Sequence, residues 1–147
     1  MDLKECQKEL EGKNVLVTGG FGFIGSNLCH RLAGLNPNRI MIVDSLEKGL
    51  GSNFQNIKEI KDKIEIYSGD DWNIKNIIQI KKLIKDSDFI FNTAGSAQHT
   101  KFGEETLSFD SDVNFLSQTL FLEACRQVMA ENKEKRLAII FAGTRDQ

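Results

Sequence analysis

Short apolar runs alternate with longer amphipathic stretches along most of the chain. The runs lie at 14–18, 39–43, 64–67, 88–93 and 137–141, and their continuous hydrophobicity is typical of parallel strands buried on both faces. Between them, apolar residues recur every three or four positions, which predicts helices. Because strands and helices alternate at this spacing, the sequence predicts an α/β fold, a doubly wound parallel sheet of about five strands.

The helical stretches differ in length and in clarity. One carries apolar residues from Ile74 to Ile84, and the longest runs from about 112 to 132, after a polar loop from 98 to 110. Residues 52–55 have capping-box spacing. Residues 1–13 form either an N-terminal helix or a frayed leader, and the sequence leaves that choice open. Residues 14–147 then form one domain.

A glycine-rich turn joins the first strand to the next helical pattern. Gly19, Gly22 and Gly25 are three residues apart. In dinucleotide-binding folds the first such glycine allows a sharp exit from the strand, the second lets the backbone approach a pyrophosphate, and the third lets the helix lie close to the sheet. The helix then directs free N–H groups and its positive dipole end at the phosphates. The stretch therefore predicts a dinucleotide site, the alternative being a plain strand–helix turn.

An acid ends the second strand, where such a site requires one. Asp44 lies 19 residues past Gly25. A carboxylate there accepts hydrogen bonds from the adenosine ribose hydroxyls and repels a 2′-phosphate, so it favours NAD over NADP. Lys48 is the nearby cation that would soften this preference. The alternative is a solvated acid at a strand end.

Composition narrows the class of protein further. A chain of 147 residues fits one domain, and a formal net charge of −2 gives no reason to expect nucleic acid or a membrane as partner. Cys6, Cys29 and Cys125 are odd in number and far apart, as expected for reduced thiols in a cytoplasmic protein without a disulfide framework or metal site. We find no pattern typical of a signal peptide or a membrane span.

The glycine turn also carries a resemblance to a known family. Residues 18–25, Thr-Gly-Gly-Phe-Gly-Phe-Ile-Gly, have the TGxxGxxG spacing of the extended short-chain dehydrogenase/reductase family, the NAD-dependent nucleotide-sugar epimerases and dehydratases. The resemblance extends from about Asn14 to Gln147 and includes residues 112–115 and 122–126. Asn92 stands where that family more often has histidine, and Asn92–Gly95 is similar to a motif of the classical short-chain enzymes. The glycine spacing outweighs that difference, so we expect a Rossmann-like domain.

The resemblance implies roles for the residues around the cofactor. Gly19, Phe23 and Ile24 would contact the pyrophosphate, Asp44 would hold the ribose, and Asp70 would hydrogen-bond the adenine amino group. Ala94, Gly95 and Ser96 would line the floor beneath the ribose and nicotinamide, where small side chains leave room for a flat ring. Asp70 and Asp71 have an alternative interpretation as paired catalytic carboxylates, but a strand-end cap with an adenine contact explains them better.

The family's catalytic group is represented only by Thr144. The resemblance implies that this hydroxyl binds the sugar hydroxyl to be oxidised, beside a tyrosine base and a lysine that lowers the tyrosine pKa. That Tyr-x-x-x-Lys would follow Gln147, and the single tyrosine, Tyr67, is followed four residues later by Asp71. We therefore expect the cofactor-binding part of a longer enzyme, incomplete before the later strands and the substrate domain, and inactive alone.

Two further expectations concern the reaction and assembly. Arg145 follows Thr144 where the family's dehydratases have an acid, and arginine cannot act as a general acid at neutral pH, so epimerisation is favoured over dehydration. An uncovered sheet edge after the fifth strand predicts a homo-oligomer. The alternative function is a non-catalytic module that senses NAD(P), of the atypical short-chain dehydrogenase type.

Overall fold

Five parallel strands form the centre of the molecule in the computed structural model, which describes residues 3–47, 51–96 and 104–142. The strands are β1 Asn14–Thr18, β2 Arg39–Asp44, β3 Glu65–Ser68, β4 Phe89–Asn92 and β5 Ala138–Phe141. They pair in the order β3-β2-β1-β4-β5, all in parallel. Their ends lie within one residue of the predicted ones. The doubly wound α/β prediction is therefore confirmed.

Helices cover both faces of this sheet. They are α1 Leu3–Leu10, α2 Phe23–Ala33, α3 Ile77–Asp86, α4 Glu104–Ser111 and α5 Ser117–Glu131. Two 3-10 segments, Phe54–Lys63 and Asp70–Trp72, and a π-helical turn, Asp112–Leu116, complete the described elements. Leu10 of α1 is buried in the core, so the end of this helix packs against the domain.

Each strand divides its side chains between two separate cores. Val15 and Val17 of β1 pack with α2 and the first 3-10 segment, whereas Leu16 packs with α3 and α5. Ile42 of β2 belongs to the first core and Met41 to the second. This alternation follows from the period of two along a strand, and it explains why the strand sequences are apolar throughout.

Two details of the predicted helices were wrong. The polar stretch predicted as a loop from 98 to 110 contains α4, which begins at Glu104, and acidic residues are favourable in the first turn of a helix. The cap of the first 3-10 segment is Asn53, whose side chain accepts a hydrogen bond from Gln55 N at 2.9 Å. Ser52 does not cap it, because its hydroxyl binds elsewhere.

A widened turn separates α4 from α5. The Asp112 carbonyl accepts hydrogen bonds from both the backbone N–H and the hydroxyl of Ser117, the latter at 2.6 Å. Ser117 is buried, so this carbonyl is satisfied within the protein. Such π turns are frequent at functional sites.

Candidate functional site

Close packing within the protein requires glycine at two positions of the turn after β1. Gly19 has a φ of +67°, and a Cβ there would lie 2.8 Å from the Ala94 Cα. A Cβ on Gly25 would overlap the Gly19 carbonyl oxygen and would lie 2.7 Å from the Thr93 hydroxyl. These two glycines therefore allow the sharp turn and the close approach of α2 to the sheet.

Gly22 has a different environment. A Cβ there would meet only the Gly19 carbonyl oxygen, at 3.3 Å. Gly22 is the N-cap of α2, so no side chain accepts a hydrogen bond from the first N–H groups of the helix at this position. No described residue accepts a hydrogen bond from the N–H groups of Phe23, Ile24 or Gly25. The turn thus presents free donors at a positive helix end, which is an arrangement suited to an anion.

Asp44 lies at the end of β2 beside this turn. Its carboxylate is 6% exposed and accepts hydrogen bonds from Phe21 N at 3.1 Å, from Leu46 N at 2.9 Å and from the Ser52 hydroxyl at 3.1 Å. A carboxylate has about four acceptor positions, so acceptor capacity remains for a further donor. Asp44 is therefore an oriented acceptor rather than a freely solvated acid.

These groups border an open cleft at the carboxyl ends of the strands. The strand order reverses between β1 and β4, and doubly wound folds bind ligands at that place. Five of the predicted site residues line the cleft, namely Gly19, Gly22, Asp44, Ala94 and Gly95. The structure thus brings together the glycine turn, the predicted ribose acid and part of the predicted floor.

Sequence reasoning missed the opposite wall of the cleft. Lys75 and Asp112 both line it and form an ion pair of 2.5 Å that joins the segment before α3 to the π turn. Among the described lining residues, Lys75 is the one cation, and Glu47 is a further acid near Asp44. The partners Lys75 and Asp112 are 37 residues apart, and although Asp112 lies in a stretch that carries the family resemblance, nothing local predicts the contact between them.

The floor of the cleft rests on a buried polar network. The Thr18 hydroxyl donates to Asn92 Oδ1 at 2.5 Å, and Asn92 Nδ2 donates to Gln118 Oε1 at 2.6 Å. Gln118 Nε2 in turn donates to the Ala94 carbonyl at 3.0 Å. Asn92 is thus a satisfied link between β1, β4 and α5. This network uses both polar atoms of the Asn92 side chain.

Ser96 lies at the far end of the predicted floor. Its backbone N–H donates to Asn114 Oδ1 at 2.7 Å, and its carbonyl accepts from Asn114 Nδ2 at 2.9 Å. The Ser96 hydroxyl donates to Asp110 at 2.7 Å. The π turn and the end of α4 therefore hold the segment after β4.

The remaining predicted residues lie away from the lining of the cleft or outside the described structure. Phe23 and Ile24 are 83% and 59% exposed at the start of α2. Asp70 and Asp71 are exposed in the second 3-10 segment, and the next residues along the chain, Asn73 and Ile74, line the cleft instead. Thr144, Arg145 and Lys48 lie outside the described residues. The roles of all these residues stay predictions.

The strand order, the glycine turn and the acid after β2 define a Rossmann-like dinucleotide-binding fold. The model of the NAD dependent epimerase/dehydratase family matches residues 15–147. The chain therefore belongs to that family, as the resemblance implied. Within the described part of the chain, no helix is long and apolar enough to cross a membrane.

Solved structures with this fold include an epimerase, an enzyme in complex with NAD⁺ and UDP, and a dehydratase in complex with NAD. Epimerase Mth375 from Methanothermobacter thermautotrophicus is 28% identical, with a TM-score of 0.72 over 96% of this chain and 38% of its own. The enzyme WbmF from Bordetella bronchiseptica, in complex with NAD⁺ and UDP, is 26% identical, with a TM-score of 0.72 over 90% and 36%. The dTDP-glucose 4,6-dehydratase from Bacillus anthracis, in complex with NAD, is 27% identical, with a TM-score of 0.68 over 90% and 37%. The chain thus spans 36–38% of the length of these proteins.

Proposed function

We propose that this chain is the NAD-binding part of a nucleotide-sugar epimerase-like oxidoreductase. The observation that carries the proposal is that two complementary groups border the same cleft. Free N–H groups at the start of α2 are suited to an anion, and the oriented carboxylate of Asp44 is suited to hydroxyl donors. The diphosphate would bind the N–H groups of Phe23 and Ile24, and Asp44 would accept hydrogen bonds from the adenosine ribose. The open space at Gly22 fits this placement, because a side chain there would meet the ligand rather than the protein.

The reaction of the whole enzyme would be transient oxidation of a sugar hydroxyl. When bound, the nicotinamide supplies the hydride acceptor. Small residues at the end of β4, held by Gln118 and Asn114, would keep the floor open for the flat ring. Thr144 would orient the reacting hydroxyl, and Arg145 beside it favours epimerisation over dehydration. The chain alone would bind cofactor without turnover, since the general base would come from the remainder of the enzyme.

Cofactor selectivity tests the proposal. We expect Asp44→Ala to weaken NAD binding by about tenfold or more, which is ~1.4 kcal/mol, and NADP binding by much less, because only NAD presents both hydroxyls to the carboxylate. Titration calorimetry on both cofactors measures this. The control is Asp62→Ala, which removes the same charge from the distant end of the 3-10 segment. Equal losses for NAD and NADP would exclude the ribose role.

Two further properties are expected from the same proposal: a location for the parent protein and self-association for the isolated chain. Cys6, Cys29 and Cys125 are free thiols, which supports a cytoplasmic location. The outer strand β5 exposes Ile140 and Phe141, which supports self-association. Static light scattering at micromolar concentration should give a mass of at least a dimer, and a clean monomer would contradict this. The reading frame beyond Gln147 distinguishes the two candidate functions. A Tyr-x-x-x-Lys there would favour the epimerase-like enzyme, and a stop codon would favour the non-catalytic NAD(P)-sensing module.

A further inference from the structure

Both backbone polar groups of Phe21, in the glycine turn, are held by the end of β2 and the segment that follows it. The Phe21 N–H donates to Asp44 Oδ2 at 3.1 Å. The Phe21 carbonyl accepts from Asn53 N at 3.1 Å and from Asn56 Nδ2 at 2.9 Å. The Phe21 side chain is buried and its ring centroid lies 4.4 Å from that of Phe54. The cap and first turn of the 3-10 segment therefore fix the position of Phe21, the residue immediately before Gly22.

Asn56 is itself anchored to neighbouring elements. Its carbonyl oxygen lies 2.9 Å from His30 Nε2 on α2, and its backbone N–H donates to the Asn53 carbonyl at 3.0 Å. The backbone of Asn56 is thus anchored to both α2 and the cap of the 3-10 segment, and its side-chain amide starts from that fixed point to reach Phe21. Neither Phe21 nor Asn56 lines the cleft, so the contact supports the site from behind.

The orientation of the Phe21 carbonyl determines the orientation of the next N–H group. The Phe21 carbonyl and the Gly22 N–H belong to one planar peptide group, so holding the oxygen also fixes the direction of the N–H. Gly22 imposes little steric restraint on rotation of that plane. A rotation would bring a carbonyl oxygen toward the place where an anion binds and would disturb the start of α2. The two donors on the oxygen oppose that rotation, together with the hydrogen bond that the Gly22 N–H donates to the Gly19 carbonyl at 3.1 Å.

We propose that Asn56 is a positioning residue for the diphosphate, an inference that rests on the proposed NAD site. Its amide keeps the Phe21 carbonyl turned toward the 3-10 segment and thereby holds the Gly22–Gly25 backbone in its anion-binding conformation. Ser52 and Asp44 hold the N–H side of the same residue, so one short segment after β2 serves both ribose and diphosphate.

The test compares a ligand that has the diphosphate with one that lacks it. Asn56→Ala removes the donor, and Asn56→Leu removes it with an uncharged side chain of similar size. For both variants we expect the Kd for ADP-ribose to rise about fivefold, as the loss of one hydrogen bond implies, and the Kd for adenosine to change less than about twofold. Calorimetry measures ADP-ribose, and NMR titration measures the weaker adenosine.

The matched control is Asn38→Ala, which removes an exposed amide that donates to Asn14 Oδ1 at 2.7 Å, at the opposite end of β1. It should leave both affinities unchanged. Unaltered ADP-ribose binding by the Asn56 variants, or equal losses for ADP-ribose and adenosine, would overturn the positioning role while leaving the NAD site in place. Failure of the unmodified protein to bind either NAD or ADP-ribose would instead overturn the proposed function.

Discussion

The two flanks of the sheet differ in how completely the described residues cover them. On the β1–β2 flank, Val17 and Ile42 are fully buried beneath α2 and the first 3-10 segment. On the β5 flank, Ile140 and Phe141 are 41% and 46% exposed. The adenosine side of the proposed site is therefore built on buried central strands, whereas the nicotinamide side lies toward an outer strand that the described residues leave partly exposed. The outer strand at the other edge, β3, has Ile66 38% exposed.

The difference also appears in how the two halves of the cleft are held. On the adenosine side, the Asp44 carboxylate accepts hydrogen bonds from the Phe21 N–H and from the Ser52 hydroxyl, both near in the fold to the end of β2. The floor at Ala94 and Ser96 depends instead on side chains from the π turn and α5. We infer that the adenosine half is rigid in this chain and that the floor depends on how firmly the α4–α5 region is seated.

The largest effect should come from breaking the glycine turn of the closed flank. Gly25→Ala places a Cβ against backbone atoms that cannot move independently, so we expect a loss of about 2–3 kcal/mol in the free energy of unfolding and the loss of NAD binding. Gly22→Ala meets one atom at 3.3 Å and should weaken NAD binding with less than about 1 kcal/mol of destabilisation. Urea unfolding with calorimetry distinguishes these. Equal stabilities of the two variants would contradict the assignment of separate roles.

Local sequence predicted the strands and the turn because their signals are contained within a few residues. Continuous apolar runs marked β1 to β5, and the spacing of Gly19, Gly22 and Gly25 marked the turn. The opposite wall was missed because the Lys75–Asp112 pair depends on where two distant segments meet. The early start of α4 was missed because its polar first turn has the composition of a loop.

The hydrogen bond between Asn92 and Gln118 is a second contact that local sequence could not predict. Sequence identified Asn92 as a departure from the resembled family, yet its partner Gln118 lies 26 residues away on another element. The pairing forms only when α5 packs against the carboxyl end of β4. Roles on Asp70, Asp71 and Thr144 depend on a bound ligand or on residues outside the described structure, and they stay predictions.

A moderate difference is expected between the labelling rates of two buried thiols, Cys29 and Cys125, which lie on opposite faces of the sheet. Burial raises the pKa of Cys29, on α2, to about 12, and burial also raises the pKa of Cys125, on α5, to about 12. Labelling of single-cysteine variants with a thiol reagent at about pH 8 should be slow for both, since thiolate is the reactive form. We expect Cys125 to react several-fold faster than Cys29, because its helix borders the open flank and should open more often. Faster labelling of Cys29 would reverse the ranking of the flanks.

The smallest effect concerns the outer edge of the closed flank. Arg39 makes two hydrogen bonds of 2.7 Å to Glu65, and this contact lowers the pKa of Glu65 below its usual value. A carboxyl pKa that is lower in the folded state contributes stability above its unfolded pKa, and that stability is lost as pH falls through the folded value. Because both side chains are partly exposed, Glu65→Gln should cost less than about 1 kcal/mol at pH 7 and nothing near pH 2. Thermal unfolding against pH measures this, with Glu59→Gln as control. A cost that persists at pH 2 would indicate a packing effect.

The placement of the diphosphate is tested most directly by amide chemical shifts during an NAD titration of the ¹⁵N-labelled protein. We expect the largest changes at the backbone N–H groups of Gly22, Phe23, Ile24 and Gly25, with a second set at Ser45 next to Asp44, and small changes along β5. Shifts at the start of α2 that are no larger than those at Ile139 and Ile140 would contradict a diphosphate bound at this helix end.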